Sequence, residues 1–445
     1  MPRRSRKKIP TDIITAHVTQ LNHEGRGIAH INGKTTFIFG ALPNETVQFN
    51  YTQCHSKFDE GNAIEVLEKS NDRVTPLCKH VGVCGGCSLQ HLSGDAQRTH
   101  KQNVLLEHFQ HQAQCAPQEL LSPLYAHPWG YRRRARLSVK FVPKKNAVLV
   151  GFRERNSSFV ANITQCETLH PSVGHNIKSI SECLMTLETK AAIPQIEVAI
   201  GDTMTAIIVR HLTELPKSDI EKLIVLSKEN HFYLYLQPKG YDSIHCVYPE
   251  NPEKLFYNIP ADNIKIHFKP AQFTQINQEI NLKMIARSIE LLDLKFTDRV
   301  LDLFCGIGNF SLPIAKQAGH VVGVEGSDEA ILQAKENAVV NAIHNTEFYT
   351  ADLLANLDTQ AWVNAQYDKI LLDPPRAGAK ELMPRIEHWN PQRIVYVSCN
   401  PITLARDTQH LLQLGYRLEK AGVMDMFPHT EHIEAIALFK RIKTE

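Results

Sequence analysis

From about residue 270 the sequence changes rhythm, and that change constrains the fold more than any other feature. Apolar runs at Arg299–Phe304, Val321–Glu325, Glu347–Tyr349, Lys369–Leu372, Arg393–Ser398 and His432–Phe439 read as strands. Amphipathic stretches at 277–292, 309–317, 328–342, 379–388 and 402–413 read as helices. Strands alternating with helices predict a doubly wound, mostly parallel sheet. Ligands of such sheets bind beyond the carboxyl ends of the strands, so chemistry is expected just after each run.

A chain of 445 residues is too long for one core. Residues 12–69 carry short alternating runs (Ile13–Val18, Thr35–Phe39, Glu45–Tyr51, Asn62–Leu67) punctuated by Gly25, Gly27, Gly33 and Gly40, which predicts a small β-barrel. Residues 71–92 are rich in Cys and Gly, and 94–113 read as a helix with Leu105, Leu106 and Phe109 on one side. Between Tyr131 and about His267 short strands return (Arg136–Val142, Val148–Phe152, Glu197–Ile200, Thr205–Val209, Phe232–Leu236), with a helix near 172–189. A mixed α/β or mainly β middle domain is expected there.

Hydrophobic content of 43% and charged content of 22% are those of an ordinary globular protein. No run of about 18 apolar residues occurs, which argues against a membrane helix. Met1–Lys8 is basic without an apolar stretch, unlike a secretory signal, so a cytoplasmic location is expected. The ten cysteines then read as metal-binding or catalytic rather than as disulfides. The net charge of +2 says little by itself, but basic residues cluster. Arg3, Arg4, Arg6, Lys7 and Lys8 form one group; Arg132, Arg133, Arg134, Arg136, Lys140, Lys144, Lys145 and Arg153 form another, suited to nucleic-acid phosphates.

Three motifs fall at expected strand ends. The first strand runs into Asp302-Leu303-Phe304-Cys305-Gly306-Ile307-Gly308-Asn309, where glycines permit a tight turn against a ligand. Ser311 stands where a dinucleotide fingerprint wants a third glycine. Glu325 ends the next strand, with a carboxylate suited to ribose hydroxyls. These features resemble the nucleoside-binding half of class I methyltransferases. The fourth strand ends in Asp373-Pro374-Pro375-Arg376-Ala377-Gly378 and the fifth in Ser398-Cys399-Asn400-Pro401. The last is preceded by Phe427-Pro428-His429-Thr430-Glu431-His432-Ile433-Glu434.

Together these motifs resemble the RNA uracil-C5-methyltransferase family, over essentially the whole chain. Carbon 5 of uracil is a poor nucleophile until a thiolate adds at carbon 6, and a base must later remove the carbon-5 proton. The resemblance implies Cys399 as the nucleophile and Glu434 as the general base. It implies S-adenosylmethionine as methyl donor, contacted by Gln275 (in Phe273-Thr274-Gln275-Ile276-Asn277), Phe304, Asn309, Glu325, Asp352 and Asp373. Asp352 stands where some members carry Asn, and Ile433 where Val is usual.

Cys78, Cys84 and Cys87 offer three soft ligands within ten residues. A structural zinc site usually offers two close pairs, so an iron–sulfur centre is favoured, with Cys54, Cys115 or Cys166 as fourth ligand. The resemblance selects Cys166 and a [4Fe–4S] cluster. His23-Glu24-Gly25-Arg26-Gly27-Ile28-Ala29 and Ala41-Leu42-Pro43-Asn44-Glu45 resemble a TRAM domain, an OB-like RNA-binding barrel. Barrel, cluster and methyltransferase together resemble the branch that modifies one uridine in 23S ribosomal RNA. The domains expected are a barrel at 1–70, a middle iron–sulfur domain at 71–92 and 126–268, and a Rossmann-like methyltransferase at 93–125 and 269–445. The alternatives are a transfer-RNA uracil methyltransferase, an RNA-binding protein with a retired methyltransferase fold, and an iron–sulfur radical methyltransferase. The last wants three cysteines at a tighter spacing than occurs here.

Overall fold

The computed structural model describes residues 9–355, 357 and 360–442; the basic arm Arg3, Arg4, Arg6, Lys7 and Lys8 lies outside the described residues. The chain divides into two compact units. One comprises Met1–Val104, Arg153–Phe159 and Phe427–His432; the other comprises Leu105–Phe152, Val160–Met426 and Ile433–Glu445.

In the first unit, β1 (Ile14–His17), β2 (Gln20–Leu21), β3 (Gly27–Ile31), β4 (Lys34–Phe39), β5 (Thr46–Cys54) and β6 (Phe58–Glu68) form one sheet in the order β1-β5-β6-β4-β3-β2. Alternate side chains turn inward, and Ala16, Val18, Ala29, Ile38, Ala41, Val47 and Phe49 make the core. A Cβ at Gly61 would lie 2.5 Å from the Phe49 ring, so glycine is what lets β5 and β6 approach there. Buried Glu45 ties the barrel to the next segment: it accepts the Leu42 N–H at 2.8 Å and pairs with Arg73 at 2.5 Å. Burial raises the Glu45 pKa, but the guanidinium and the backbone amides outweigh it and hold the carboxyl below its ordinary range. The loop bearing Cys78, Cys84 and Cys87 follows, then α1 (Gly94–His108), whose last residues, with the wider turn over Phe109–Ala113, belong to the second unit.

The second unit carries two large sheets. One takes the order β13-β12-β11-β10-β8-β9, from β8 (Arg134–Val142), β9 (Ala147–Gly151), β10 (Gln195–Ile200), β11 (Thr205–Arg210), β12 (Phe232–Gln237) and β13 (His245–Tyr248). Only β11 and β12 run parallel, joined by α4 (Lys217–Glu229). Short α2 (Pro171–Gly174) and α3 (Ile177–Thr186) precede it, and β14 (Leu255–Ile259) and β15 (Ile264–Phe268) form a hairpin. This part is thus mixed α/β.

The other sheet has eight strands, in the order β18-β17-β16-β19-β20-β22-β21-β7. These are β7 (Glu119–Leu120), β16 (Arg299–Leu303), β17 (His320–Glu325), β18 (Thr346–Thr350), β19 (Lys369–Leu372), β20 (Arg393–Ser398), β21 (Tyr416–Met424) and β22 (Glu434–Arg441). Strands β16 to β20 are parallel, and β22 is antiparallel to both of its neighbours. Helices α5 (Gln278–Leu292), α6 (Ser311–Ala315), α7 (Asp328–Val340), α8 (Met383–Trp389) and α9 (Pro401–Gln413) complete it. The near-continuous apolar runs of β16, β19 and β20 suit strands buried on both faces. The Rossmann-like expectation holds for this sheet. Neither α4 nor β21 is among the elements expected from the sequence. The expected helix at 309–317 shortens to α6 because the glycine turn occupies the residues before Ser311. No helix among the described residues is long and apolar enough to cross a membrane.

Candidate active site

Beyond β16 the chain turns through Phe304 (φ 66°), Gly306 (φ 53°) and Gly308 (φ 92°). A bulky residue such as Phe304 stays in the left-handed region only where its surroundings fix it. Here its N–H and that of Cys305 both donate to the Val324 carbonyl, at 2.9 and 3.1 Å. The Glu325 carboxylate, at the end of β17, accepts N–H groups from Gly306, Gly326 and Ser327 at 3.2, 2.8 and 3.2 Å. A Cβ added at Gly306 would meet nothing within 4 Å, so the turn is open on that side. Asn309 is oriented by Tyr257, whose hydroxyl donates to its Oδ1 at 2.7 Å, and by reciprocal amide bonds with Asn281 at 2.9 Å. Neither Tyr257 nor Asn281 is signalled by a motif.

Asp302 is fully buried beneath the turn. One oxygen accepts the Ser311 hydroxyl at 2.5 Å; the other has no partner among the described residues. Burial, reinforced by the charges of Asp373 and Glu325, pushes its pKa up to about 7 against the Ser311 bond. Asp373, just after β19, is likewise pushed up to about 7 by burial and by Glu325. Three carboxylates at neighbouring strand ends call for positive charge. A ligand bearing an ammonium and a sulfonium fits that requirement, and the open turn and Glu325 fit a nucleoside. Asp352 follows β18 and is exposed, accepting the Leu354 N–H at 3.0 Å. Gln275 is half-buried in the segment leading to α5, where Asn277 caps the helix by accepting the Ile280 N–H.

At the end of β20, Ser398 pairs with Ala435 of β22. One further step of that antiparallel register sets Cys399 opposite Glu434. The Ser398 hydroxyl donates to the Asn400 carbonyl at 3.0 Å and accepts the Asn400 N–H at 3.1 Å, closing the turn around the cysteine. Asn400 then caps α9 through the Ile402 N–H (3.1 Å) and donates to the Arg376 carbonyl at 3.0 Å, joined there by Thr403 at 3.3 Å. The cysteine turn and the Asp-Pro-Pro-Arg loop are therefore one hydrogen-bonded piece. Burial, then Glu434, then Asp373 push the Cys399 thiol up to about 11, while the Arg376 guanidinium acts the other way. The structure thus brings Cys399, Glu434 and Asp373 into one electrostatic neighbourhood. Arg376, quoted in the motif without a role, belongs to it.

The basic cluster is partly spoken for. Arg133 pairs with Asp202 at 2.7 Å, Arg136 with Glu197 at 3.2 Å, and Arg134 donates to the Pro270 and Gln272 carbonyls. The acidic partners come from other elements, which is why the local sequence shows none.

Cys78, Cys84 and Cys87 belong to the first unit and Cys166 to the second. The Gly86 N–H donates to the Cys84 sulfur at 3.4 Å. Among the described residues, no group of three or more His, Cys, Asp or Glu is gathered as a metal centre requires. The soft-donor chemistry is present; among the described residues the gathered donor set is not.

Residues 207–442 match the family model for tRNA (uracil-5-)-methyltransferase, and residues 10–64 match the TRAM domain. The 23S rRNA (uracil(1939)-C(5))-methyltransferase RlmD of Alcanivorax borkumensis is 47% identical over 441 residues, 99% of this chain and 99% of that protein. The enzyme of the same name from Francisella tularensis subsp. novicida is 49% identical over 446 residues, again covering 99% of each. Among solved structures, the Pyrococcus abyssi tRNA (uracil-54, C5)-methyltransferase in complex with S-adenosyl-L-homocysteine shares the fold. Its TM-score is 0.72 at 22% identity, over 96% of this chain and 100% of that one. By the extent of these matches and the motifs at its strand ends, the chain belongs to the RNA uracil-C5-methyltransferase family.

Proposed function

We propose that this protein methylates carbon 5 of a uridine in 23S ribosomal RNA, using S-adenosylmethionine, with Cys399 as nucleophile and Glu434 as general base. The observation that carries the reading is the strand register that sets Cys399 opposite Glu434 at the carboxyl end of β20. The choice of 23S RNA rests on curated relatives of that specificity, similar over 99% of the chain.

The sulfur of Cys399 adds to carbon 6 of the uracil, and the electron pair of the ring double bond moves toward the carbonyl. Carbon 5, now nucleophilic, takes up the methyl group. Glu434 then removes the carbon-5 proton, the ring double bond re-forms, and the bond from sulfur to carbon 6 breaks, freeing Cys399. When bound, S-adenosylmethionine supplies the electrophilic methyl. Glu325 would hold its ribose, with Phe304, Asn309, Asp352, Asp373 and Gln275 as its further contacts. The target base must leave its stack to reach Cys399, which is cheapest in an RNA loop.

The test is RNA carrying 5-fluorouridine, whose fluorine blocks the final proton removal. Wild-type protein is expected to form an adduct stable to denaturing electrophoresis with the ribosomal fragment and not with transfer RNA. Cys399→Ala is expected to form none while binding S-adenosylmethionine as wild type does. Adduct formation by that variant, or preference for transfer RNA, sinks the corresponding half of the reading.

A [4Fe–4S] cluster on Cys78, Cys84, Cys87 and Cys166 is a separate part of the proposal. It is supported by the cysteine spacing and the architecture, and its role is organisational because methyl transfer involves no net oxidation or reduction. Iron and acid-labile sulfide in protein purified without oxygen are the measurement; their absence refutes it.

A further inference from the structure

The segment Phe427–His432, immediately before Ile433 and Glu434, belongs to the first compact unit and is tied there at Phe427, His429 and Glu431. The Lys101 ammonium, on a side chain only 1% exposed, donates to the Phe427 carbonyl at 3.0 Å. Gln97, equally buried, accepts the His429 N–H at 2.8 Å. Its amide group donates to the Leu89 and Leu92 carbonyls at 3.1 and 2.7 Å. The Ser88 and Leu89 N–H groups both donate to the His429 carbonyl at 2.9 Å. The Ser88 hydroxyl accepts the Glu431 N–H at 3.1 Å and donates to the Glu431 carboxylate. At the centre His429 sits at φ 68°, a left-handed conformation that a non-glycine residue keeps only when its neighbours hold it.

We propose that Ser88, Gln97 and Lys101 are positioning residues for proton removal from carbon 5: they fix the turn from which Glu434 emerges. The inference rests on the assignment of Glu434 as base. Two peptide bonds separate His432 from Glu434, the first residue of β22, so the clamped turn sets how the chain enters that strand at the carboxylate. Cys399 lies at the end of a different strand, fixed by Ser398, Asn400 and Thr403, so the clamp does not hold the sulfur itself. Loosening the clamp therefore slows the step after methyl transfer, in which the carbon-5 proton passes to the carboxylate and the thiolate departs. The bond to sulfur then persists.

The test uses full-length protein, S-adenosylmethionine, and two RNA fragments differing only in uridine or 5-fluorouridine at the target. Ser88→Ala is the first variant and Lys101→Met, which keeps the buried volume, the second. Both are expected to form the 5-fluorouridine adduct at least as fast as wild type. On ordinary uridine both are expected to lose turnover at least tenfold while a methylated covalent adduct accumulates. Ser88→Thr, which restores the hydroxyl, is expected to recover turnover. A merely structural role lowers adduct formation and turnover together with no accumulation, and that result overturns the proposal, as does unchanged turnover. Glu434→Gln separates the two layers. If it fails to accumulate adduct, the base assignment is wrong. If it accumulates adduct while Ser88→Ala and Lys101→Met do not, the clamp alone is wrong.

Discussion

A thiol pushed up to about 11 is almost entirely protonated at neutral pH, so the nucleophile is disarmed until substrates arrive. Part of the cause is the reaction's own equipment: Glu434 and Asp373 raise the thiol through like charge, after burial. The sign of the pH dependence follows. Thiolate is the reactive form and its pKa lies above the working range, so adduct formation on 5-fluorouridine RNA rises with pH from neutral to about pH 9. Glu434→Gln removes one like charge, lowers the thiol pKa and moves this profile to lower pH, even though turnover on ordinary RNA collapses. Rapid-quench measurement of adduct against pH in both proteins decides it. A profile that stays in place or moves upward in the variant means that Glu434 does not face the sulfur.

One buried carboxylate organises the element around this site. Asp407 of α9 is fully buried; it accepts the Tyr396 hydroxyl and the Ala379 N–H, both at 2.7 Å, and pairs with Arg406. Arg406 also donates to the Ala377 carbonyl at 2.9 Å. Helix, strand and Asp-Pro-Pro-Arg loop thus meet at one anion. Gly378 lies in that loop at φ 81°, and a Cβ there would sit 2.5 Å from the Arg406 guanidinium and 2.6 Å from the Asp407 carboxylate. Gly378→Ala is therefore expected to lower stability by about 1–3 kcal/mol through backbone strain and displacement of the ion pair. Asp407→Ala, which leaves the buried Tyr396 hydroxyl and Ala379 N–H without their acceptor, is expected to cost about 1–3 kcal/mol for each. Denaturant unfolding measures both, and wild-type midpoints would remove the network from any supporting role. The sequence reveals the sites but not this support. Strands β19 and β20 are legible to their end residues because buried parallel strands are continuous apolar runs, and Cys399 and Asp373 are legible because motifs mark them. Asp407 answers to residues far along the chain, and no local pattern records such a bond. Strand β21 escapes because its register shifts between Leu418 and Lys420, breaking the alternation. Helix α4 escapes because its apolar positions, Leu223 and Leu226 among them, lie in a stretch otherwise made of strands.

At the scale of the whole molecule the question is how a chain with a net charge of only +2 holds a polyanion. Local counting of charge points to Arg132–Arg136, but the fold spends Arg133 and Arg136 on Asp202 and Glu197 and Arg134 on backbone carbonyls. Arg133 and Arg134 are thereby tied down, and Arg136, though 60% exposed, is paired with Glu197. Farther along the same strand and its turn, Lys140, Lys144 and Lys145 are exposed. The unpaired exposed cations of this strand therefore lie at the far end of β8, and that end is the one predicted to meet RNA phosphates. Each phosphate neutralised contributes about 0.7 to the slope of log affinity against log salt for single-stranded RNA. Replacing all three lysines by alanine should flatten that slope by about 2 while leaving S-adenosylmethionine binding intact. Arg134→Ala should leave the slope alone and lower the unfolding midpoint, because it strands two carbonyls. Filter binding of the 23S fragment across a salt series distinguishes the cases. An unchanged slope in the triple lysine variant would remove this end of β8 from the RNA path, and a flattened slope in Arg134→Ala would return the footprint to the arginines.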